Sequence, residues 1–164
     1  MARLLRTSDE IDLLALFRKS PLLVGLPDEV LIKLASKSET HVSYAGQTIM
    51  EEGEEGAEVY LVVSGSVRIQ LECITPFVEV GINKVEQGEV IGEMSLVDDS
   101  PRSATVIAIG PCQLVRIPLG ELRAIADADP KLGMILMTNT GRILAERLKM
   151  MNRRLMNYVR ARSY

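Results

Sequence analysis

The chain has 164 residues, 47 % of them hydrophobic and 25 % charged, with a formal net charge of −3. That is about one domain's length with enough apolar content for a core, so it does not read as a disordered chain, and no apolar run approaches the roughly 20 residues of a membrane span. The amino end, Met-Ala-Arg-Leu-Leu-Arg, turns acidic at Asp9-Glu10 before a signal-peptide core could form.

Residues 1–40 read as two helices. Ser8-Asp9-Glu10 is an N-cap signal ahead of Ile11, Leu13, Leu14, Leu16 and Phe17, which are apolar at helical spacing. Pro27, followed by Asp28 and Glu29, starts a second helix that runs to Ser38 and turns Val30, Leu31, Leu34 and Ala35 inward.

Residues 41–118 read as β. Turn signals recur about every ten residues: Ala45-Gly46, Glu52-Gly53, Glu55-Gly56, Ser64-Gly65, Gly88, Gly92, Gly110-Pro111 and Pro118. Between them lie β-branched runs, Val59–Val63, Val67–Ile74, Phe77–Val85, Ala104–Ile109 and Gln113–Ile117, so the pattern predicts a sandwich or barrel-like roll. Cys73 and Cys112 sit inside these apolar runs and are expected to be buried free thiols in a cytoplasmic protein.

Residues 119–164 return to helix. A short one covers Leu119 to Ala128, and a long one runs from about Lys131 to Arg160. On the long helix Met134, Met137, Gly141, Leu144, Leu148, Met151, Leu155 and Tyr158 alternate spacings of three and four, the repeat of a coiled-coil seam. Thirty helical residues span about 45 Å, more than one side of a small roll, so the overhang predicts pairing with a second copy. From Arg142 to Arg162 there are seven basic residues and one acid, Glu146. This end is read as a solvated flank of the seam that could also contact nucleic acid or an acidic partner.

Val90 to Val106 carries the chemistry: Val-Ile-Gly-Glu-Met-Ser-Leu-Val-Asp-Asp-Ser-Pro-Arg-Ser-Ala-Thr-Val. Gly92 lets backbone approach a ligand, and Met94 to Val97, with Ser95 among them, could form one turn whose N–H groups face an anion. Arg102 offers a planar fork of donors to two phosphate oxygens. Glu93 repels phosphate but accepts hydrogen bonds from hydroxyls such as a ribose 2′-OH. Acid for the sugar and guanidinium for the phosphate together specify a nucleotide.

The segments Gly92-Glu93-x-Ser95-Leu96 and Pro101-Arg102-Ser103-Ala104-Thr105-Val106 resemble the phosphate-binding cassette of the cyclic nucleotide-binding domain, placed here over 91–106. Leu16-Phe17 with Ser20-Pro21-Leu22 and Gly25-Leu26 is similar to that family's leading segment, and Gly46, Gly53, Gly56, Tyr60 and Gly65 fall at the spacing of its β-roll. The resemblance implies an α+β fold: an eight-stranded antiparallel, jelly-roll-like β-roll with flanking N-terminal helices and a long C-terminal helix, all in a single domain over 1–164. It also implies that Ser103 contributes a hydroxyl or N–H near the phosphate, that the Ala104 N–H meets a phosphate oxygen, and that the C-terminal helix closes over the base. Registering that helix on the catabolite activator type puts Met151 and Asn152 at the base. Methionine can pack on a purine face, and the Asn152 amide could bond the adenine amino group.

His41 is the only histidine, so a hydrolase site of His/Asp metal clusters is not expected. The acidic tract from Glu51 to Glu58 lacks the alternation of a calcium loop and reads as a solvated turn. The expectation is therefore a non-enzymatic, stand-alone sensor of cyclic AMP, with cyclic GMP also possible and with no metal. It would be a homodimer through its C-terminal helix, signalling to a separate protein, with neither a membrane span nor a DNA-binding domain of its own. The alternative is a structural or interaction module of the same fold that no longer depends on nucleotide.

Overall fold

The computed structural model describes residues 12–70 and 83–162. The Ser8–Glu10 cap, Cys73 and most of the Phe77–Val85 run lie outside the described residues. So does the side chain of Tyr158.

Helix α1 (Leu13–Lys19) is capped by Asp12, whose carboxylate accepts from the Ala15 N–H at 3.0 Å. Helix α2 (Asp28–Ala35) follows Pro27, which sits at the N-cap rather than inside the first turn. Eight strands come next among the described residues: β1 (Glu39–Ser43), β2 (Thr48–Met50), β3 (Glu58–Ser64), β4 (Ser66–Gln70), β5 (Asn83–Glu86), β6 (Val90–Ile91), β7 (Thr105–Ala108) and β8 (Cys112–Pro118). They form two antiparallel four-stranded sheets, ordered β1-β8-β3-β6 and β2-β7-β4-β5. Helix α3 (Leu119–Ala128) and helix α4 (Pro130–Arg162) complete the chain. This is the expected β-roll with flanking helices. Pro130, one residue ahead of the start expected at Lys131, is the first residue of α4, a position where its missing N–H leaves no bond unmade.

Two cores explain the burial. Inside the roll, Met50, Tyr60, Val62, Val67, Val85, Ile91, Val106 and Leu114 meet between the sheets. On the other face of the first sheet, Val59, Leu61, Val115 and Ile117 pack under Phe17, Leu22, Leu31, Leu122 and Leu136 of the helical layer. Strand β3 therefore buries both faces, which is why it reads as an unbroken Val-Tyr-Leu-Val run. The Asn139 side chain fastens α4 to the connection between α1 and α2, donating from Nδ2 to the carbonyls of Leu22 (3.0 Å) and Val24 (2.8 Å).

Helix α4 shows three faces. Gly133, Leu136, Thr140, Ile143 and Arg147 are buried or half-buried against the chain's own domain. One residue further at each step, about 100° around the helix, lie Met134, Met137, Gly141, Leu144 and Leu148 of the seam. Met134 is 69 % exposed, Leu148 59 % and Leu155 59 %. Arg142, Lys149, Arg153 and Arg160 are exposed on a third face, and beyond Arg147 the described side chains through 161 are all exposed.

Candidate nucleotide site

Between β6 and β7 the chain must turn over the open end of the roll. Gly92 makes the turn at φ +81°, a left-handed conformation that costs glycine little. A Cβ there would stand 2.6 Å from Arg102 Nη1 and 3.0 Å from the Glu58 carbonyl oxygen. A single 3-10 turn, Glu93–Leu96, follows, where a helical turn was expected at Met94–Val97. Leu96 is buried in the helical core and anchors that turn.

Arg102 is held from the strand side. Its N–H donates to the Glu54 carbonyl (2.8 Å) and its own carbonyl accepts from the Gly53 N–H (2.9 Å). The acidic tract is thus a turn with exposed Glu51, Glu54 and Glu55, whose backbone also grips the cassette. Arg102 is 6 % exposed, and its guanidinium is held from several sides. It donates to the Glu58 carbonyl (2.6 Å), Ser95 Oγ (3.2 Å) and the Gly92 carbonyl (3.3 Å), while its buried Nε has no acceptor among the described residues. Gly56 leaves the room for this arrangement, because a Cβ would fall 2.5 Å from Ser95 Oγ and 2.9 Å from Arg102 Cζ.

Glu93 is fully buried, with a relative exposure of 0 %. Arg147, reaching down from α4, donates to Glu93 Oε1 and also to the Val90 carbonyl. The other carboxylate oxygen, Oε2, is buried and accepts nothing among the described residues. Arg123 of α3 donates to the Ser95 carbonyl (2.8 Å) and pairs with Asp99, so the cassette is tied to both C-terminal helices.

These groups surround a cavity of about 360 Å³, within the size of small-molecule sites. Its apolar wall is Met50, Ile69, Ile91, Val106 and Met151, and its polar side holds Gly92, Glu93, Ser95, Arg102, Ser103 and Arg147. Met94 and Ala104 line it too, and the exposed Ser103 hydroxyl donates to the Met94 sulfur at 3.5 Å. At the rim, the Ser100 hydroxyl (2.6 Å) and N–H (3.0 Å) hold the Asp98 carboxyl below its ordinary value.

Eight of the nine residues expected from sequence therefore stand on one cavity. Asn152 is exposed and does not line it. Arg147 went unread, because in sequence it is one of seven basic residues near the end. The available signal was its position one helical turn before Met151, on the same side of the helix. His41 is exposed within β1, and no cluster of metal-ligating side chains exists among the described residues. Among them, too, no helix is long and apolar enough to cross a membrane. Cys112 is a buried free thiol whose pKa burial raises.

Comparison with known proteins agrees with this geometry. The chain is 32 % identical over 96 residues to the cGMP-dependent protein kinase, isozyme 1, of Drosophila melanogaster, covering 57 % of this chain and 12 % of the kinase. It is 34 % identical over 87 residues to the cAMP-dependent protein kinase regulatory subunit of Candida albicans, covering 53 % of this chain and 18 % of that protein. The chain thus spans less than a fifth of either relative. A solved cyclic nucleotide-binding domain from Methylobacillus flagellatus superposes with a TM-score of 0.72 at 25 % identity, covering 89 % of this chain and 82 % of that one. The family model of the cyclic nucleotide-binding domain matches residues 41–129, more than half of the chain, and the chain belongs to that family.

Proposed function

We propose that this protein is a cyclic nucleotide sensor, with cyclic AMP as its ligand, that acts by changing the placement of α4 rather than by catalysis. The observation that carries the reading is one cavity holding a buried carboxylate with a free oxygen and a buried guanidinium with a free N–H. A cyclic nucleotide offers a hydroxyl to the first and a phosphate to the second. The base would rest on the thioether wall of Met94 and Met151. Relatives named for cyclic AMP and for cyclic GMP both match, and Ser103 suits either phosphate. Ligand in the cavity would favour the conformations in which cassette and α4 are closed together.

The output would leave through α4. The exposed seam residues Met134, Met137, Leu148 and Leu155 support a two-fold pair of helices, since they lie on a separate face from the one docked on the chain's own domain. Beside it the exposed Lys149, Arg153, Arg154 and Arg160 suit an acidic partner protein. The buried Cys112 thiol fits a cytoplasmic protein.

A second reading has its own observation. Arg102 already has three protein acceptors and Glu93 already has Arg147, so the cassette could hold its shape as an interaction module independent of nucleotide. Calorimetry with cyclic AMP, cyclic GMP and AMP decides. Saturable one-site binding of a cyclic nucleotide, with AMP at least about tenfold weaker, is expected, and heats no larger than dilution for all three would establish the module instead.

A further inference from the structure

We propose that the projecting end of α4, from Leu148 to Ala161, lies flat on an anionic lipid bilayer. The proposal goes beyond the sensing role and does not depend on it. Every described side chain of this stretch is exposed. At 100° per residue, Leu148, Leu155 and Val159 fall within about 40° of one another on the helix surface, with Met151 about 40° beyond Leu155. Met151 also lines the nucleotide cavity, whereas the other three do not. Arg154 stands on one flank of this apolar stripe, Lys149 and Arg160 on the other, and Arg153 behind it. Long basic side chains on the flanks of such a stripe run their stems along it and carry their charges to the level of lipid headgroups.

Charge selects the occupant. No acid follows Glu146 in the chain, and Lys149 with Glu146 is the last ion pair of α4 among the described residues. Arg153, Arg154 and Arg160 form none there. A second copy would cover the apolar stripe of this end but would set the same positive charges alongside. A nucleic acid would meet the charges and leave Leu148, Leu155 and Val159 in water. An anionic bilayer supplies both, acyl chains for the stripe and negative headgroups for the cations. Pairing along Met134 and Met137, nearer the docked half, is compatible with lipid under the far end. Among the described residues no helix is long and apolar enough to cross a membrane, so this end of α4 would rest on the surface and not span it.

The test is flotation of the full chain with vesicles of phosphatidylcholine alone and of equimolar phosphatidylcholine and phosphatidylserine, beside anisotropy with a labelled DNA duplex. Wild type should float with the mixed vesicles, less so as salt is raised, and not with phosphatidylcholine alone. Arg154→Gln/Arg160→Gln and Leu155→Gln/Val159→Gln should each bind the mixed vesicles about tenfold or more weakly, because charge and apolar burial both contribute. All four side chains are exposed, and thermal melting checks that the variants fold. The chain has no tryptophan, so Leu155→Trp supplies a single reporter whose emission lipids brominated in their acyl chains should quench. Wild type that stays out of the mixed vesicles, or floats equally on phosphatidylcholine alone, overturns the proposal. So does an unquenched Leu155→Trp. A Leu155→Gln/Val159→Gln variant that binds the mixed vesicles as tightly as wild type, or a duplex bound more tightly than the vesicles, overturns it in favour of a purely electrostatic contact with a polyanion.

Discussion

Arg102 serves two sets of acceptors, and its replacement should show both. Arg102→Ala leaves a phosphate without its charged partner in an enclosed site, and cyclic AMP affinity should fall by about 2–5 kcal/mol in calorimetry. The same change strips donors from the Glu58 carbonyl and Ser95 Oγ, so stability by denaturant titration should fall by about 1–3 kcal/mol. A loss of affinity alone would mean that the internal bonds contribute nothing net. That Gly92, Glu93 and Arg102 belong together was legible because they stand within eleven residues of one another in a distinctive pattern, and the structure sets all three on one cavity. Arg147 was not legible, since its meaning comes from the wrap of α4 onto a segment far back in the chain. Asn152 was placed by borrowed register on a long helix, where a single step of about 100° moves a side chain off the cavity.

At the scale of elements, the limits of α3 were the easiest to read, whereas α2 ends at Ala35 rather than at the expected Ser38. Pro118 and Pro130 bracket α3, and Leu119–Ala128 follows from them. Strand order was not legible, because β1 beside β8 and β2 beside β7 join segments more than fifty residues apart whose local pattern names no partner. Beside its apolar packing, α4 is hydrogen-bonded to the connection after α1 through one amide. Asn139→Ala would leave the Leu22 and Val24 carbonyls without that donor, Leu22 being fully buried, and should cost about 1–3 kcal/mol. Hydrogen exchange should show the loss as faster opening at 20–26, with protection in β3 and β8 retained. Uniform loss of protection across both sheets would show instead that this join is part of the global unfolding unit.

For the whole molecule, the exposed seam of α4 is the face on which a second copy would pair. Light scattering should give a dimer at micromolar concentration for wild type and a monomer for Leu148→Glu/Leu155→Glu, because both side chains are 59 % exposed and a charge there cannot enter a helix pair. A wild-type monomer would mean that the seam remains in water. The seam's period was read from sequence, but the separate face docked on the domain was hidden by it, since the two stripes differ by one position at every step. The reach of α4 adds a mechanical consequence. From Arg147 to Arg162 the helix continues for about 22 Å, at 1.5 Å per residue, with its described side chains exposed. A tilt of about ten degrees at the Arg147 end would carry the far tip about 4 Å, close to the spacing of neighbouring strands in a sheet. On the proposed sensing role, the projecting half of α4 would act as a lever arm that enlarges a small tilt at its docked end into a displacement at its tip.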